Sequence, residues 1–307
     1  KNTSEERWHI MCHPSRLKKD SKQVEIKVVQ RLGDCKKTNG VKKLVCYSLW
    51  GTRSVYAEGA FANAVLVPQI YGKDWTVRIY VANDVPESTI LKLLSLNAQV
   101  YIMNTDSKSA GSVGAFWRLL PMGEKNTIML SRDLDSRVSY REFLAVKKWL
   151  TSDMSFHRMY DSNMDAFNKF TWSGTPCKVP FYAGMFGTKS QNTTSIVPNI
   201  LSLINKWNYK FMYGGEELFL AKKILNIARK KGVFTHIMKG HSLEQGSLFL
   251  NPEDKQEQAT MMKFATPDHM RKYFIHQEYF KDQPGFTAKS YLTFKKVPYL
   301  LPPRLRK

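Results

Sequence analysis

The stretch Thr127-Ile-Met-Leu-Ser-Arg-Asp-Leu-Asp-Ser-Arg137 passes from an apolar run into two carboxylates that are one residue apart. The apolar run is typical of a buried strand. Because side chains alternate along an extended chain, Asp133 and Asp135 are predicted to point the same way from the end of that strand. Two carboxylates on one side repel each other unless a cation or the flanking Arg132 and Arg137 lie between them. Mg2+ and Mn2+ prefer oxygen ligands, often one or two carboxylates together with substrate phosphates. The stretch therefore predicts a metal-diphosphate site, and a solvated turn paired to the two arginines is the alternative.

Strands and helices alternate on either side of this stretch. Predicted strands cover residues 42–49, 75–81, 99–103 and 128–130, and predicted helices cover residues 56–71, 84–96 and 113–120. A helix from Ser139 has the capping-box spacing to Glu142, and it is followed by short strands at 156–160 and 233–237 and helices at 196–207 and 216–231. Such alternation predicts an α/β fold with βαβ units and a mostly parallel sheet. In open sheets of this kind ligands bind at the carboxyl ends of the strands, so the turn at Gly51 and the carboxylate pair are expected in one crevice.

The composition favours a folded chain with an anionic partner. Of its 307 residues 43% are hydrophobic and 12% aromatic, so a large core is expected and global disorder is not. The formal charge of +21 favours nucleic acid, a membrane surface, a nucleotide substrate or an acidic glycan, although solvated lysine pairs would also account for it. The basic pairs are dispersed, and no RNP motif or zinc-finger spacing is present, so a dedicated nucleic-acid module is not indicated.

The compartment stays open. The cysteines form no CxxC pair, which argues against a structural zinc site; they are Cys12, Cys35, Cys46 and Cys177. No apolar stretch approaches the roughly 20 residues of a membrane span. The sequons at Asn2 and Asn192 matter only in a secreted chain. A first residue Lys1 leaves room for a removed leader or anchor. A lumenal, membrane-anchored protein whose anchor is missing and a cytoplasmic, including viral, protein both fit.

Residues 131–137 resemble the RDxDSR segment of a family of GT-A-fold glycosyltransferases known from large DNA viruses and bacteria. Further segments match that family in order, at residues 47–51, 56–60, 75–81, 116–121, 156–161, 184–187 and 214–220. A bare DxD occurs often by chance, whereas ordered matches over residues 43–240 are far more specific. The resemblance implies a Rossmann-like, mostly parallel sheet flanked by helices, with a less regular acceptor-side half. The extent of the resemblance and the composition on either side of it together predict a basic extension at 1–40, a catalytic domain at 41–250 and an extension at 251–307 that packs on or closes the site.

The resemblance implies a nucleotide-sugar donor and a divalent metal, Mn2+ or Mg2+. Asp135, together with Asp133 directly or through water and ribose, is expected to hold the metal. The resemblance further implies a nucleotide-facing turn that is formed by Ser48, Leu49, Gly51 and Arg53. Arginine forks match phosphate oxygens, so the candidate phosphate or donor-sugar contacts are Arg118, Arg132 and Arg137.

The acceptor side is where the chain departs from the family. Glu216 and Glu217 occupy the Asp and Gln positions of the family's GxDQxFL motif, and either is a candidate base for the acceptor hydroxyl. Carboxylates at the start of a helix also suit its dipole, which is the structural alternative. Asp161 is a further candidate for catalysis or for donor or acceptor binding. Of the family's late His-Asp-Ser segment only His236 matches, so it is the candidate third metal ligand.

These observations together predict a metal-dependent glycosyltransferase, hexosyl or pentosyl, that moves a sugar from a UDP- or GDP-sugar to a hydroxyl on a glycan or glycoprotein. The high positive charge allows an acidic acceptor. A second hypothesis is a non-catalytic module that binds an anionic polymer, nucleic acid or acidic glycan. A metal phosphohydrolase would need more carboxylate and histidine ligands than this stretch offers.

Overall fold

A computed structural model describes residues 24–35, 37–51, 53–160, 171–172, 175–176, 180–190, 194–211, 214–237 and 247–248. The strands are β1 Val28–Leu32, β2 Lys37–Thr38, β3 Val41–Leu49, β4 Trp75–Val81, β5 Gln99–Met103, β6 Thr127–Arg132, β7 Phe156–Tyr160, β8 Thr171–Trp172, β9 Thr175–Pro176, β10 Met185–Lys189, β11 Val233–Ile237 and β12 Ser247–Leu248. The α-helices are α1 Ser54–Ile70, α2 Glu87–Ser95, α3 Ser107–Ala110, α4 Tyr140–Leu150, α5 Ile200–Asn205, α6 Gly215–Phe219 and α7 Leu225–Lys231. A 3-10 helix spans Gly111–Gly123, and a π-helical turn at Leu220–Ile224 joins α6 to α7.

One ten-stranded sheet forms the centre of the described residues. Its order is β1-β5-β4-β3-β6-β10-β7-β11-β12, with β2 paired to the start of β3. The strands β5, β4, β3 and β6 form a parallel block, and β7, β11 and β12 run in the same direction. β1, β2 and β10 are antiparallel to their neighbours. The predicted α/β class with a mostly parallel sheet flanked by helices is therefore confirmed.

Helices cover both faces of the sheet, because consecutive side chains of a strand point to opposite sides. On β3, Tyr47 lies close to Glu142 of α4, whereas the hydroxyl of the next residue, Ser48, accepts a hydrogen bond from the backbone N–H of Arg118 in the 3-10 helix. Strands covered on both sides read as continuous apolar runs, and every residue of β4 is buried. The α4 face and the 3-10 face are thus the two halves of the core.

The α4 helix shows how closely local sequence set its boundaries. The Ser139 hydroxyl caps it by accepting a hydrogen bond from the backbone N–H of Glu142, at 3.1 Å, as the capping-box spacing predicts.

The helix predicted at 113–120 is instead a 3-10 helix, and a π-helical turn interrupts the predicted helix at 216–231. In the 3-10 helix, Gly114 lies so close to the Trp50 ring that a Cβ there would be 2.5 Å from it.

The described residues cover only part of the domain and the two extensions that the sequence predicts. β1 pairs with β5 and β2 with β3, so the predicted boundary at residue 40 falls inside the β2–β3 hairpin. Residues 251–307 lie outside the described residues, as do Cys12, Cys177 and both sequons. Cys46 is a buried free thiol, and Cys35 is half-buried. Among the helices described, none is both long and apolar enough to cross a membrane.

Candidate active site

The candidate site lies at the carboxyl edge of β3 and β6, which are adjacent and parallel. β6 ends at Arg132, and the chain then turns, with the backbone N–H of Ser136 donating to the carbonyl of Asp133 at 3.3 Å. On the neighbouring strand, Ser48 is buried at the end of β3 and contacts the 3-10 helix through Arg118. The expected crevice between the Gly51 turn and the carboxylate pair is therefore formed by adjacent strand ends.

Arg118 lies between the carboxylates of Asp133 and Glu216. Its side chain is 8% exposed, and its Nη1 forms an ion pair with Asp133, whose side chain is 29% exposed. The same Nη1 donates to the backbone carbonyl of Arg132 at 3.1 Å, and Nη2 lies 3.9 Å from Oε1 of Glu216. The predicted phosphate contact thus lies between two carboxylates that are far apart in the sequence.

Glu216 and Glu217 open the short helix α6 beside this arginine. Burial raises the pKa of the Glu216 carboxyl, and the charge of Arg118 acts in the opposite direction. Burial raises the pKa of Glu217 well above its ordinary value, and the neighbouring Glu216 charge raises it further. A carboxyl with a raised pKa can accept and return a proton near neutral pH. Of the two, Glu216 is the one within ion-pair distance of Arg118.

Asp135 and Arg137 belong to the turn after β6. Asp135 is half-buried and contributes to the field at Arg118. The Arg137 guanidinium donates to the backbone carbonyl of Leu134 at 2.8 Å, and it packs where Gly59 of α1 leaves room. A Cβ at Gly59 would lie 1.8 Å from the Leu134 carbonyl oxygen. Arg137 therefore braces the turn that carries Asp135 against α1.

The prediction that Arg132 contacts phosphate does not fit this geometry. Its Nε donates to Oε1 of Glu142 at 2.7 Å, and its Nη1 donates to the carbonyls of Ser131 and Phe186. The side chain is 2% exposed, and Glu142 also accepts a hydrogen bond from the Tyr71 hydroxyl. Alternation along β6 explains this placement, because Arg132 points to the α4 face while Asp133 points away from it.

The structure does not bring His236, the predicted third metal ligand, together with the carboxylate pair. His236 lies on β11, which β7 and β10 separate from β6, a distance of three strand spacings or about 14 Å. It is fully buried, its Nδ1 is 2.9 Å from Nε2 of His157, and that ring stacks on Trp149. It packs in the core under α4. Asp161 lies outside the described residues.

The other residues predicted to face the nucleotide lie at the end of β3 and in the turn from β3 to α1. Leu49 is buried, Gly51 is exposed at a positive φ of 79°, and Arg53 is exposed with its guanidinium over the Tyr56 ring. The Gly51 N–H donates to the Ser107 hydroxyl at 2.8 Å. The hydroxyl and backbone N–H of Ser107 in turn donate to Oδ1 of Asp84.

Sequence reasoning did not identify Asp84 and Ser107 as site residues. Asp84 follows β4 and Ser107 follows β5, so both lie at the carboxyl ends of strands that were predicted to be parallel. That position is where ligands bind in such sheets, and it was sufficient to predict both residues as site candidates.

The chemistry of the carboxylate pair suits a hard divalent cation. No cluster of three or more His, Cys, Asp or Glu side chains that could enclose a metal occurs among the described residues. Two carboxylates are nevertheless the usual protein share of a Mg2+ or Mn2+ site that is completed by water and substrate phosphate. Asp133 is already paired with the Arg118 guanidinium, so a metal that binds there needs further anionic ligands besides the two carboxylates. Asp133 and Asp135 therefore fit a metal that arrives with a diphosphate.

No protein-family model matches the chain, and no curated protein matches it. Among solved structures it is similar to the mannosyltransferase PcManGT from Pyrobaculum calidifontis in complex with GDP-Man and Mn2+, at 12% identity and a TM-score of 0.40, covering 97% of this chain and 77% of that chain. It is also similar to M. tuberculosis glucosyl-3-phosphoglycerate synthase, at 11% identity and a TM-score of 0.36, covering 76% of this chain and 81% of that one. A third is S. aureus TarS 1–349, at 10% identity and a TM-score of 0.39, with 84% and 79% covered. Similarity at this level assigns no activity to this chain.

Proposed function

We propose that the chain is a metal-dependent glycosyltransferase that moves a sugar from a nucleoside-diphosphate donor to a hydroxyl acceptor. The observation that carries the proposal is the meeting of Asp133, Arg118 and Glu216 at the carboxyl edge of β3 and β6. Asp133 and the nearby Asp135 can hold a metal, an arginine can hold phosphate, and a half-buried glutamate can serve as a base. The ordered resemblance of residues 43–240 to the RDxDSR glycosyltransferases points to the same chemistry.

Each side chain has a distinct role in this proposal. Asp133 and Asp135 would hold Mn2+ or Mg2+, which supplies neutralising positive charge to the diphosphate as it leaves. Arg118 orients the phosphates, since its fork is anchored by the Arg132 carbonyl. The turn at Ser48, Leu49, Gly51 and Arg53 faces the nucleotide.

The acceptor hydroxyl gives its proton to Glu216. Burial raises the pKa of that carboxyl and so places it closer to the working pH. The donor classes that we expect are UDP- and GDP-sugars, with a hexosyl or pentosyl unit transferred to a glycan or glycoprotein.

The test is a screen of UDP- and GDP-sugars with Mn2+, following binding by calorimetry and donor hydrolysis by product release. We expect one nucleoside diphosphate to bind only when the metal is present. Asp135→Ala should lower turnover about 1000-fold, and Asp153→Ala is the matched control, because Asp153 is exposed in the turn between α4 and β7. Full activity in Asp135→Ala, or no metal-dependent binding of any nucleoside diphosphate, would refute the proposal.

A second candidate function is binding of an anionic polymer without catalysis, and one surface favours it. Five exposed basic residues lie in the last turns of two helices, α4 and α7, which lead into the paired strands β7 and β11; they are Lys147, Lys148, Arg229, Lys230 and Lys231. Cations also suit helix carboxyl ends, so the cluster alone does not require a ligand. Polymer binding by this surface would weaken steeply with salt and would need no metal, whereas donor binding requires the metal.

A further inference from the structure

Arg118 is held in an arrangement that leaves one of its donors unused. Its Nη1 is shared between Asp133 and the Arg132 carbonyl, while its Nε is buried and has no hydrogen-bond partner within the described part of the chain. A buried N–H without an acceptor costs about 1–3 kcal/mol. Such a cost persists where another arrangement of the same groups serves a function.

Glu216, on the other side of Arg118, has a carboxylate oxygen without a hydrogen-bond donor among the described residues. Its Oε2 is buried without a hydrogen-bond partner among the residues described, and its Oε1 is 3.9 Å from Nη2 of Arg118. That separation exceeds hydrogen-bond length by about 1 Å. A small turn of the guanidinium would close it, and it would take the arginine away from Asp133. The arginine therefore has two available carboxylates and is bound to the donor-side one.

The same carboxylate cannot serve the arginine and a metal equally well. Asp133 is 29% exposed and open to ligand, whereas Arg118 is 8% exposed and cannot leave for solvent without uncovering its stem. A cation that binds Asp133 must compete with the guanidinium, and it must leave that guanidinium with another partner. Glu216 and the oxygens of a bound diphosphate are the acceptors within reach.

We propose that Arg118 is a resident counter-cation for Asp133, which a metal-diphosphate complex displaces toward Glu216 and the phosphates, so that the site takes up metal only together with a nucleoside diphosphate. This inference rests on the proposed function, because it assumes that Asp133 and Asp135 face the metal. It makes metal and nucleotide binding mutually dependent, and each must raise the affinity for the other by the same factor.

The experiment titrates Mn2+ into the full chain with and without UDP and GDP, following free Mn2+ by electron paramagnetic resonance and heat by calorimetry. Arg118→Met removes the charge and keeps the length of the side chain. We expect it to bind Mn2+ alone about tenfold more tightly than the wild type, and to bind the Mn2+-nucleotide pair about tenfold more weakly. The two effects have opposite signs, which a general loss of structure would not produce.

Two further variants keep the test decisive. Arg118→Lys retains the charge, so its affinity for Mn2+ alone should stay within about twofold of the wild type. Arg31→Met is the surface control, since Arg31 is exposed on β1, and it should change neither titration. If Arg118→Met does not fold, Arg118→Gln replaces it, because its amide can still donate to the Arg132 carbonyl.

The outcomes separate the inference from the proposed function. If the wild type binds the Mn2+-nucleotide pair but Arg118→Met and Arg118→Gln do not gain affinity for Mn2+ alone, the counter-cation role is wrong and the glycosyltransferase proposal stands. If no chain binds Mn2+ with or without UDP or GDP, the proposed function fails and the inference fails with it.

Discussion

Two arginine-carboxylate pairs meet at the end of β6, one on each face of the sheet. Arg132 and Glu142 are 2% and 1% exposed and lie between β6 and α4. Arg118 and Asp133 are 8% and 29% exposed and face the crevice. The chemistry of the two pairs is the same, and only their access to ligand differs. The comparison indicates that an ion pair beside a site has a structural role when both partners are buried. When the carboxylate is accessible to a ligand, the ligand can replace the arginine as its partner.

Removing one carboxylate from each pair should separate these roles most strongly. Glu142→Ala leaves a buried guanidinium without its counter-charge, and we expect a loss of about 3–5 kcal/mol in the free energy of unfolding. Asp133→Ala should lower the free energy of unfolding by about 1 kcal/mol or less. Its partner Arg118 still donates to the Arg132 carbonyl and still has Glu216 nearby. Urea titrations measure both losses in the free energy of unfolding, provided that this free energy falls with urea concentration at the same slope in each variant as in the wild type. Equal losses in the two variants would contradict the distinction.

Gly59→Ala tests whether the crevice side depends on the packing of α1. The added Cβ would overlap the Leu134 carbonyl, so the turn that carries Asp135 must move. We expect a loss of about 1–3 kcal/mol in unfolding free energy, together with weaker binding of the Mn2+-nucleotide pair. Glu58→Ala, an exposed change one residue earlier in α1, is the control and should leave both quantities unchanged. Nucleotide affinity that survives the loss of stability would show that α1 does not position the turn.

The α4 face should also respond to acid. Burial lowers the pKa of His157 well below its ordinary value, and the neighbouring His236 and Arg132 charges lower it further. The unfolded chain therefore binds a proton that the folded chain does not, so stability is complete above about pH 6.5 and falls below it toward the depressed pKa. The slope is at most about 1.4 kcal/mol per pH unit for this proton. Urea titrations between pH 7 and pH 5 should show the slope in the wild type and a smaller one in His157→Phe. An unchanged slope in that variant would assign the acid sensitivity to other groups.

The smallest effect is expected at the exposed entrance of the crevice. Arg53 lies in solvent over the Tyr56 ring, so Arg53→Ala should weaken Mn2+-nucleotide binding by only about twofold. Calorimetry at two salt concentrations checks this, since an exposed charge loses its effect as salt rises. A loss of tenfold or more in Mn2+-nucleotide affinity would show that Arg53 contacts the phosphates directly.

Local sequence was sufficient to predict the parallel half of the sheet. The apolar runs of β3, β4 and β6 and the cap at Ser139 all depend on neighbours within a few residues, and each was predicted at its observed place. The face of Arg132 was also encoded locally, because alternation places it opposite Asp133. The expectation of a phosphate contact there followed from its charge and overlooked that alternation.

Long-range pairing limited the rest of the prediction. His236 could be assigned to the core only once β7 and β10 were known to separate β11 from β6, and nothing in either segment specifies that order. The bridge from Arg118 to Glu216 likewise depends on how the 3-10 helix meets α6, where Phe116 packs against Phe219. Such contacts join segments that are distant along the chain, and local periodicity does not reveal them.

The separation of the site residues along the chain bears on how the site forms during folding. Arg118 and Asp133, which pair at the end of β6, are 15 residues apart, so their contact closes a short loop. Glu216 lies 98 residues from Arg118, so its approach to that arginine closes a longer loop. We expect the carboxylates after β6 to be in place before Glu216 arrives. A nascent chain would then hold the half of the candidate site that contains Asp133 and Asp135 for a time without the half that contains Glu216.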